Sequence, residues 1–223
     1  MSTGPDNGQP PDIRAPEKRE RVDGRRLRSE RTKQLIVEAY MSLVRENSQM
    51  PTAIQIAERA GYSVRSVFER FPDLIALRVA ATDYAIAEAR TQGALRDIDA
   101  DRQTRIRSQV ETRSSMGERW LPLWRVLSSD SGEAPELQKR IRLIRDLVRM
   151  RVELMFQPEL SSLPQDRRRR LLIALEALTD LESWGRMREF HGLSVDDARA
   201  VWIGAIDRLL PPTPVVDAPA AKA

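Results

Sequence analysis

The chain has 223 residues, 41% of them hydrophobic, 5% aromatic and 31% charged, with a net charge of +4. That length holds one large domain or two modest ones, and the apolar content is enough for a core. With no cysteine and a single histidine, His191, the chain has no thiol nucleophile, disulfide, thiolate metal site or multi-histidine metal centre, and neither a metal nor a cofactor is expected.

Residues 1–24 are rich in Pro, Gly and charge and read as a disordered tail. The polar start lacks the apolar centre of a secretory signal. No apolar run approaches the roughly 20 residues that cross a bilayer. A cytoplasmic protein without a membrane partner is expected. Charge is unevenly placed: from Arg14 to Lys33 nine basic residues face four acidic ones, a local excess of +5. Within it Arg25, Arg26 and Arg28 stand just before the next motif, where DNA phosphates would lie.

Ser29 reads as the cap of a first helix, with Leu35, Ile36, Ala39, Tyr40, Leu43 and Val44 at the helical period. Asn47 to Pro51 is a loop. Thr52 then caps a short helix, and Gln55 completes a capping box. Ile56, Ala57 and Ala60 share one face, and Gly61 marks a sharp turn. Ser63 caps a second short helix with Val67 and Phe71 on its apolar side. The spacing predicts a helix-turn-helix, whose second helix enters the major groove of DNA.

Asp73 caps a fourth helix reaching Arg90. A helix from Asp99 or Asp101 to about Met116 follows, then a shorter one marked off by Gly117 as a helix stop and by Pro122, and a loop from Ser128 to Pro135. A long helix presents Leu137, Ile141, Ile144, Val148, Val152 and Met155. After a break at Pro158–Pro164, one helix runs from Pro164 to about His191, and a last helix runs from the Ser194 cap to Leu210. Residues 211–223 read as a second disordered tail. No strand-like alternation is present, so the fold class is all-α.

The stretch from Ser29 to Leu77 resembles the tetracycline-repressor (TetR) family of bacterial transcriptional regulators. The matching positions are Thr52, Ile56-Ala57, Ala60-Gly61, Ser63, Ser66-Val67-Phe68, Arg70 and Phe71. Ser66 stands where Thr is common, Phe68 where Tyr is common, and Arg70 where His or Tyr is common. Leu74 replaces a common lysine. The resemblance implies a helix-turn-helix domain over 25–73 and a helical ligand-binding and dimerisation domain over 74–210. It also implies double-stranded DNA, a small-molecule effector and a second copy of the chain as partners. A repressor released from a palindromic operator is the expected function.

The residues expected to meet DNA are Arg25, Arg26, Arg28, Thr52, Gln55, Ser63, Val64, Arg65, Ser66, Phe68 and Arg70. Arg65 is the leading base reader, because its fork matches guanine O6 and N7. Met116, Trp120, Trp124, Met150, Phe156 and Trp184 are candidates for an effector pocket, and no buried charge set is evident there. By the resemblance the last two long helices form the dimer interface, with Leu175, Leu178, Trp202, Ile206 and Leu209 as its expected contacts. No nucleophile elbow, phosphate loop, zinc-protease motif or dinucleotide fingerprint occurs, so an enzyme is not expected. A sequence-tolerant nucleoid protein or a protein-interaction module is the alternative.

Overall fold

Helix α1 spans Lys18–Asn47 in the computed structural model, which describes residues 18–129 and 134–214, with side chains from Gly24 on. The first tail expected to be disordered is therefore helical from Lys18, well before the Ser29 cap. Arg and Glu are good helix formers, and Gly24 costs only about 1 kcal/mol in a helix interior. Arg28 Nε also donates to the Gly24 carbonyl at 3.1 Å. The rest of that tail, residues 1–17, lies outside the described residues.

Helices α2 (Ala53–Ala60), α3 (Val64–Arg70) and α4 (Leu74–Gln92) follow as the capping residues dictate. Asp73 accepts the amide of Ala76 at 2.7 Å, as an N-cap should. Helix α5 then runs unbroken over Arg102–Ser129, where two helices were expected. Pro122 removes the hydrogen bond to the carbonyl four residues back and crowds that carbonyl with its ring, yet the helix continues through it. Gly117 is a packing residue rather than a helix stop: a Cβ there would collide with the indole of Trp184.

Helix α6 covers Pro135–Met155 and a short α7 covers Gln157–Ser161. The single helix expected from Pro164 to His191 is broken. Helix α8 (Gln165–Leu178) stops short, and α9 (Leu181–Gly185) restarts behind an Asp180 cap and continues as a π-helical turn, Arg186–Phe190. The break is held from outside. The carbonyl of Thr179 accepts two hydrogen bonds from Arg113, at 3.1 and 2.7 Å. Helix α10 (Val195–Leu209) closes the fold, with Ser194 accepting the Asp197 amide. No strand occurs among the described residues.

Residues 211–213 of the expected second tail are anchored. Arg102 donates to the Pro211 carbonyl, and the Thr213 hydroxyl bonds the buried Glu159, which is also paired with Arg105. Residues 215–223 lie outside the described residues.

Two apolar clusters organise the molecule. One joins α1, α2, α3, α4, the second half of α5 and the start of α6. The other joins the first half of α5 with α6 to α10. The boundary expected near residue 73 is thus spanned by one continuous core, with Val67 and Phe71 on one side of it and Leu77 and Ala81 on the other. No described helix is long and apolar enough to cross a membrane.

Candidate DNA-binding surface and effector cavity

The turn between α2 and α3 is set by local chemistry. Thr52 takes extended backbone, and its amide donates to Gln55 Oε1 at 2.9 Å while its hydroxyl accepts the Gln55 amide at 3.3 Å. This is the capping box read from sequence. Gly61 sits at φ 73°, in the left-handed region where a side chain is strained. Its successor Tyr62 donates its amide to the Ala57 carbonyl at 2.9 Å. Ser63 accepts the Ser66 amide at 3.1 Å, and the two hydroxyls lie 3.0 Å apart. Ile56 and Val67 are fully buried beneath, so each short helix has one anchored face and one free face.

The free face carries most of the residues expected to meet DNA. Thr52, Gln55, Ser63, Arg65 and Phe68 are exposed, and Ser66 is half-buried. Arg65 keeps 88% of its side-chain surface and pairs with Glu69 at 3.1 Å. Phe68 is 43% exposed despite its apolar ring. Val64 instead packs partly against the core. Arg70 is also half-buried, and its Nε is sealed without an acceptor. Arg25, Arg26 and Arg28 are exposed on the N-terminal part of α1.

The α2–α3 pair is tied to α1 by Arg59, which forks onto Glu46 at 2.6 and 2.8 Å and also reaches Ser42. The hydrogen bonds from Arg59 and Ser42 hold the Glu46 carboxyl down at about 2. Tyr40, buried under the same helices, has its phenol pushed up to about 12 by burial, against the opposing pull of Arg78. Arg78 itself is buried, and its Nη2 donates to the Val126 carbonyl at 2.8 Å. It joins the start of α4 to the second half of α5.

Between α4, α5 and α6 lies a half-open cavity of about 280 Å³. Met116, Trp120, Trp124 and Met150 line it, as expected from the sequence. Phe156 and Trp184 do not. Both are almost fully buried in the second cluster, Trp184 against Trp202 with ring centroids 5.0 Å apart. The cavity also holds Arg90, Arg113 and Arg151, a basic set that the sequence did not single out. Arginines are so frequent along this chain that three of them carry no signal until the fold brings them together. His191 is exposed beside Phe190 and lies outside the cavity.

Of the expected dimer contacts, Leu175, Trp202 and Ile206 are buried in the subunit's own core and offer nothing to a partner. Leu178 is half-buried and Leu209 exposed. The outward apolar residues of these helices are instead Ile173 on α8, 52% exposed, and Val201 on α10, 49% exposed, together with Leu209.

This order of helices, with a short capped pair leading into a larger bundle around a cavity, has solved counterparts. A candidate TetR-family transcriptional regulator from Rhodococcus sp. aligns over 80% of this chain and 98% of its own, with a TM-score of 0.64 and 19% identity. A TetR-family transcriptional regulator from Streptomyces coelicolor aligns over 81% of this chain and 80% of its own, with a TM-score of 0.67 and 11% identity. The chain has the TetR-regulator fold. No protein-family model matches the sequence, and no curated protein matches it either. At this level of identity the similarity lies in the backbone of the fold.

Proposed function

We propose that this chain is a TetR-type transcriptional regulator that binds DNA as a homodimer and responds to a small molecule held between α4, α5 and α6. The observation that carries the DNA reading is the capped α2–α3 pair. Its buried faces hold it rigid while Thr52, Gln55, Ser63, Arg65 and Phe68 stand on the free side. A recognition helix presents its N-terminal residues to base edges, and Arg65 is the exposed cation at that position on α3. The N-terminal part of α1 adds Arg25, Arg26 and Arg28 as phosphate ligands, which set register and affinity without reading sequence.

Two heads are needed to read half-sites about 34 Å apart, and the exposed apolar row of Ile173, Val201 and Leu209 supports pairing through α8 and α10. Helix α4 connects the two activities. Its start is bonded to α5 through Arg78, and Thr82, Ala85, Ile86 and Ala89 line the cavity farther along. A ligand that fits only one placement of α4 would shift the separation of the heads and release the operator, a coupling between two sites.

The test is a gel-shift titration with DNA flanking the chain's own gene. Saturable binding to a short palindrome, with at least about a thousandfold preference over scrambled DNA, is the expected result. Uniform coating of any duplex would replace this reading with that of a nucleoid protein.

A further inference from the structure

The cavity differs from one end to the other. Arg151 donates from Nη1 to the Gly93 carbonyl at 2.6 Å and from Nη2 to the Thr112 hydroxyl at 3.0 Å. The end of α4, the Thr112 turn of α5 and the Arg151 turn of α6 therefore meet at one end. Arg113 is the next residue on α5, close enough for its charge to be felt by Arg151. Arg90 lines the same end from the last turn of α4. Toward the other end, past Trp120 and Trp124, lie Leu127 and Thr82, beside the Arg78–Val126 bond. From residue 113 to residue 127 a helix rises about 21 Å, so the basic and apolar ends are well separated.

At the basic end neither Arg113 nor Arg151 bonds a carboxylate directly. Arg113 donates to the Thr179 carbonyl, and Arg151 to Gln109, Gly93 and Thr112, all of them neutral acceptors. Neither forms an ion pair among the described residues, and Arg113 Nη1 has no hydrogen-bond acceptor there. Burial brings Arg113 down to about 10, the charge of Asp180 and, more weakly, that of Glu176 opposing it while Arg151 pushes the same way as burial, and Arg113 stays protonated near neutral pH. The Gln109 Nε2 beside Arg151 is sealed without a partner, as is the indole N–H of the cavity-lining Trp120. Arg113 is buried and Arg151 half-buried, and a buried cation with no carboxylate in direct contact is costly.

We infer that the cavity is built for an amphipathic monocarboxylate, with its carboxylate at the Arg113–Arg151 end and its apolar body along Trp120, Trp124 and Leu127. This rests on the effector reading above and gives that effector a chemical class. A guanidinium fork matches a planar carboxylate. A small polar anion such as phosphate would leave the tryptophan-lined length empty. The volume sets the scale: a cavity of about 150 Å³ takes one benzene, so about 280 Å³ suits a body near two rings or a medium alkyl chain.

The experiment titrates the full chain with decanoate, decanol and decyltrimethylammonium, each below its micellar concentration, and follows tryptophan fluorescence and calorimetric heat. Decanoate should bind at least about tenfold more tightly than decanol, the worth of one charge-assisted hydrogen bond, and the ammonium compound should bind least. Arg151→Met should remove the preference for acid over alcohol, read as the ratio of the two affinities within the same variant. Because Arg113 also holds the α8–α9 break, Arg113→Lys is the second variant: it keeps the charge but lacks the fork, and should weaken decanoate alone. Equal binding of acid and alcohol, preference for the cation, or no binding by any of the three would overturn the assignment. Decanoate binding that leaves operator affinity unchanged would uphold the ligand class and remove the effector reading. An operator-binding protein that takes none of the three would lose the ligand class and keep the DNA reading.

Discussion

Arg65 is held by little more than a single exposed contact to Glu69. Such a pair is worth at most about 1 kcal/mol, less than a bidentate contact to guanine, so the side chain is free to exchange partners on DNA. Arg65→Ala should therefore cost about 1–3 kcal/mol on the cognate site and relax one base position, with little change on random duplex, as read by competitive gel shift. Equal losses on both DNAs would reduce Arg65 to a phosphate ligand. Gly117 makes the opposite kind of contribution, since its lack of a side chain lets α5 approach the Trp184 ring. That ring cannot easily move, because its N–H donates to Glu118 at 2.7 Å and its face meets Trp202. Gly117→Ala should destabilise the protein by about 1–3 kcal/mol through overpacking, measured by urea unfolding. The sequence marked Gly117 only as a helix breaker, because a glycine required by a neighbour far along the chain looks like any other glycine.

At the scale of elements, the attachment of α2 to α1 has a pH signature. Glu46 is held at about 2, against an ordinary value of 4.5, by hydrogen bonds from Arg59 and Ser42. A depressed carboxyl stabilises the fold above its unfolded value, and that contribution is lost as pH falls from about 4.5 toward 2. The site is exposed, so the effect is small and weakened by salt. Glu46→Gln should leave less loss of unfolding midpoint between pH 5 and pH 3 than the parent shows, at roughly unit pH precision. The first helix makes a second prediction. Replacing Arg25, Arg26 and Arg28 by alanine should lower DNA affinity on all sequences. It should also flatten the salt dependence by about 0.9 for each phosphate no longer neutralised; an unchanged slope would remove this segment from the interface. Helix ends with side-chain caps, at Thr52, Ser63, Asp73 and Ser194, were legible because a cap is a local bond. The division of α8 from α9 was not, because Arg113 secures it from another helix.

At the scale of the whole molecule, the proposed homodimer requires the apolar stripes of α8 and α10 to be divided between the subunit's own core and a partner. The period of a helix says which residues are apolar on one side, and only packing says which of them are already covered. Trp202 and Ile206 are covered, while Ile173 and Val201 are open. Ile173→Glu with Val201→Glu should give a stable monomer in analytical ultracentrifugation that no longer binds a palindrome cooperatively. A dimer that persists would place the interface elsewhere.

The helix-turn-helix was determined by the sequence alone. Its caps, its left-handed glycine and its buried Ile56 and Val67 all act within some twenty residues, where spacing is nearly equivalent to structure. The all-α class follows in the same way, from hydrophobic period. Only the tertiary structure decided which tryptophans line a cavity, which apolar residues remain free for a partner, and that Arg90, Arg113 and Arg151 share one end of that cavity. Those facts depend on three helices drawn from residues 74 to 155 meeting in space. Nothing in the local chemistry of any one of them specifies that meeting, because it comes from burial summed over the whole core.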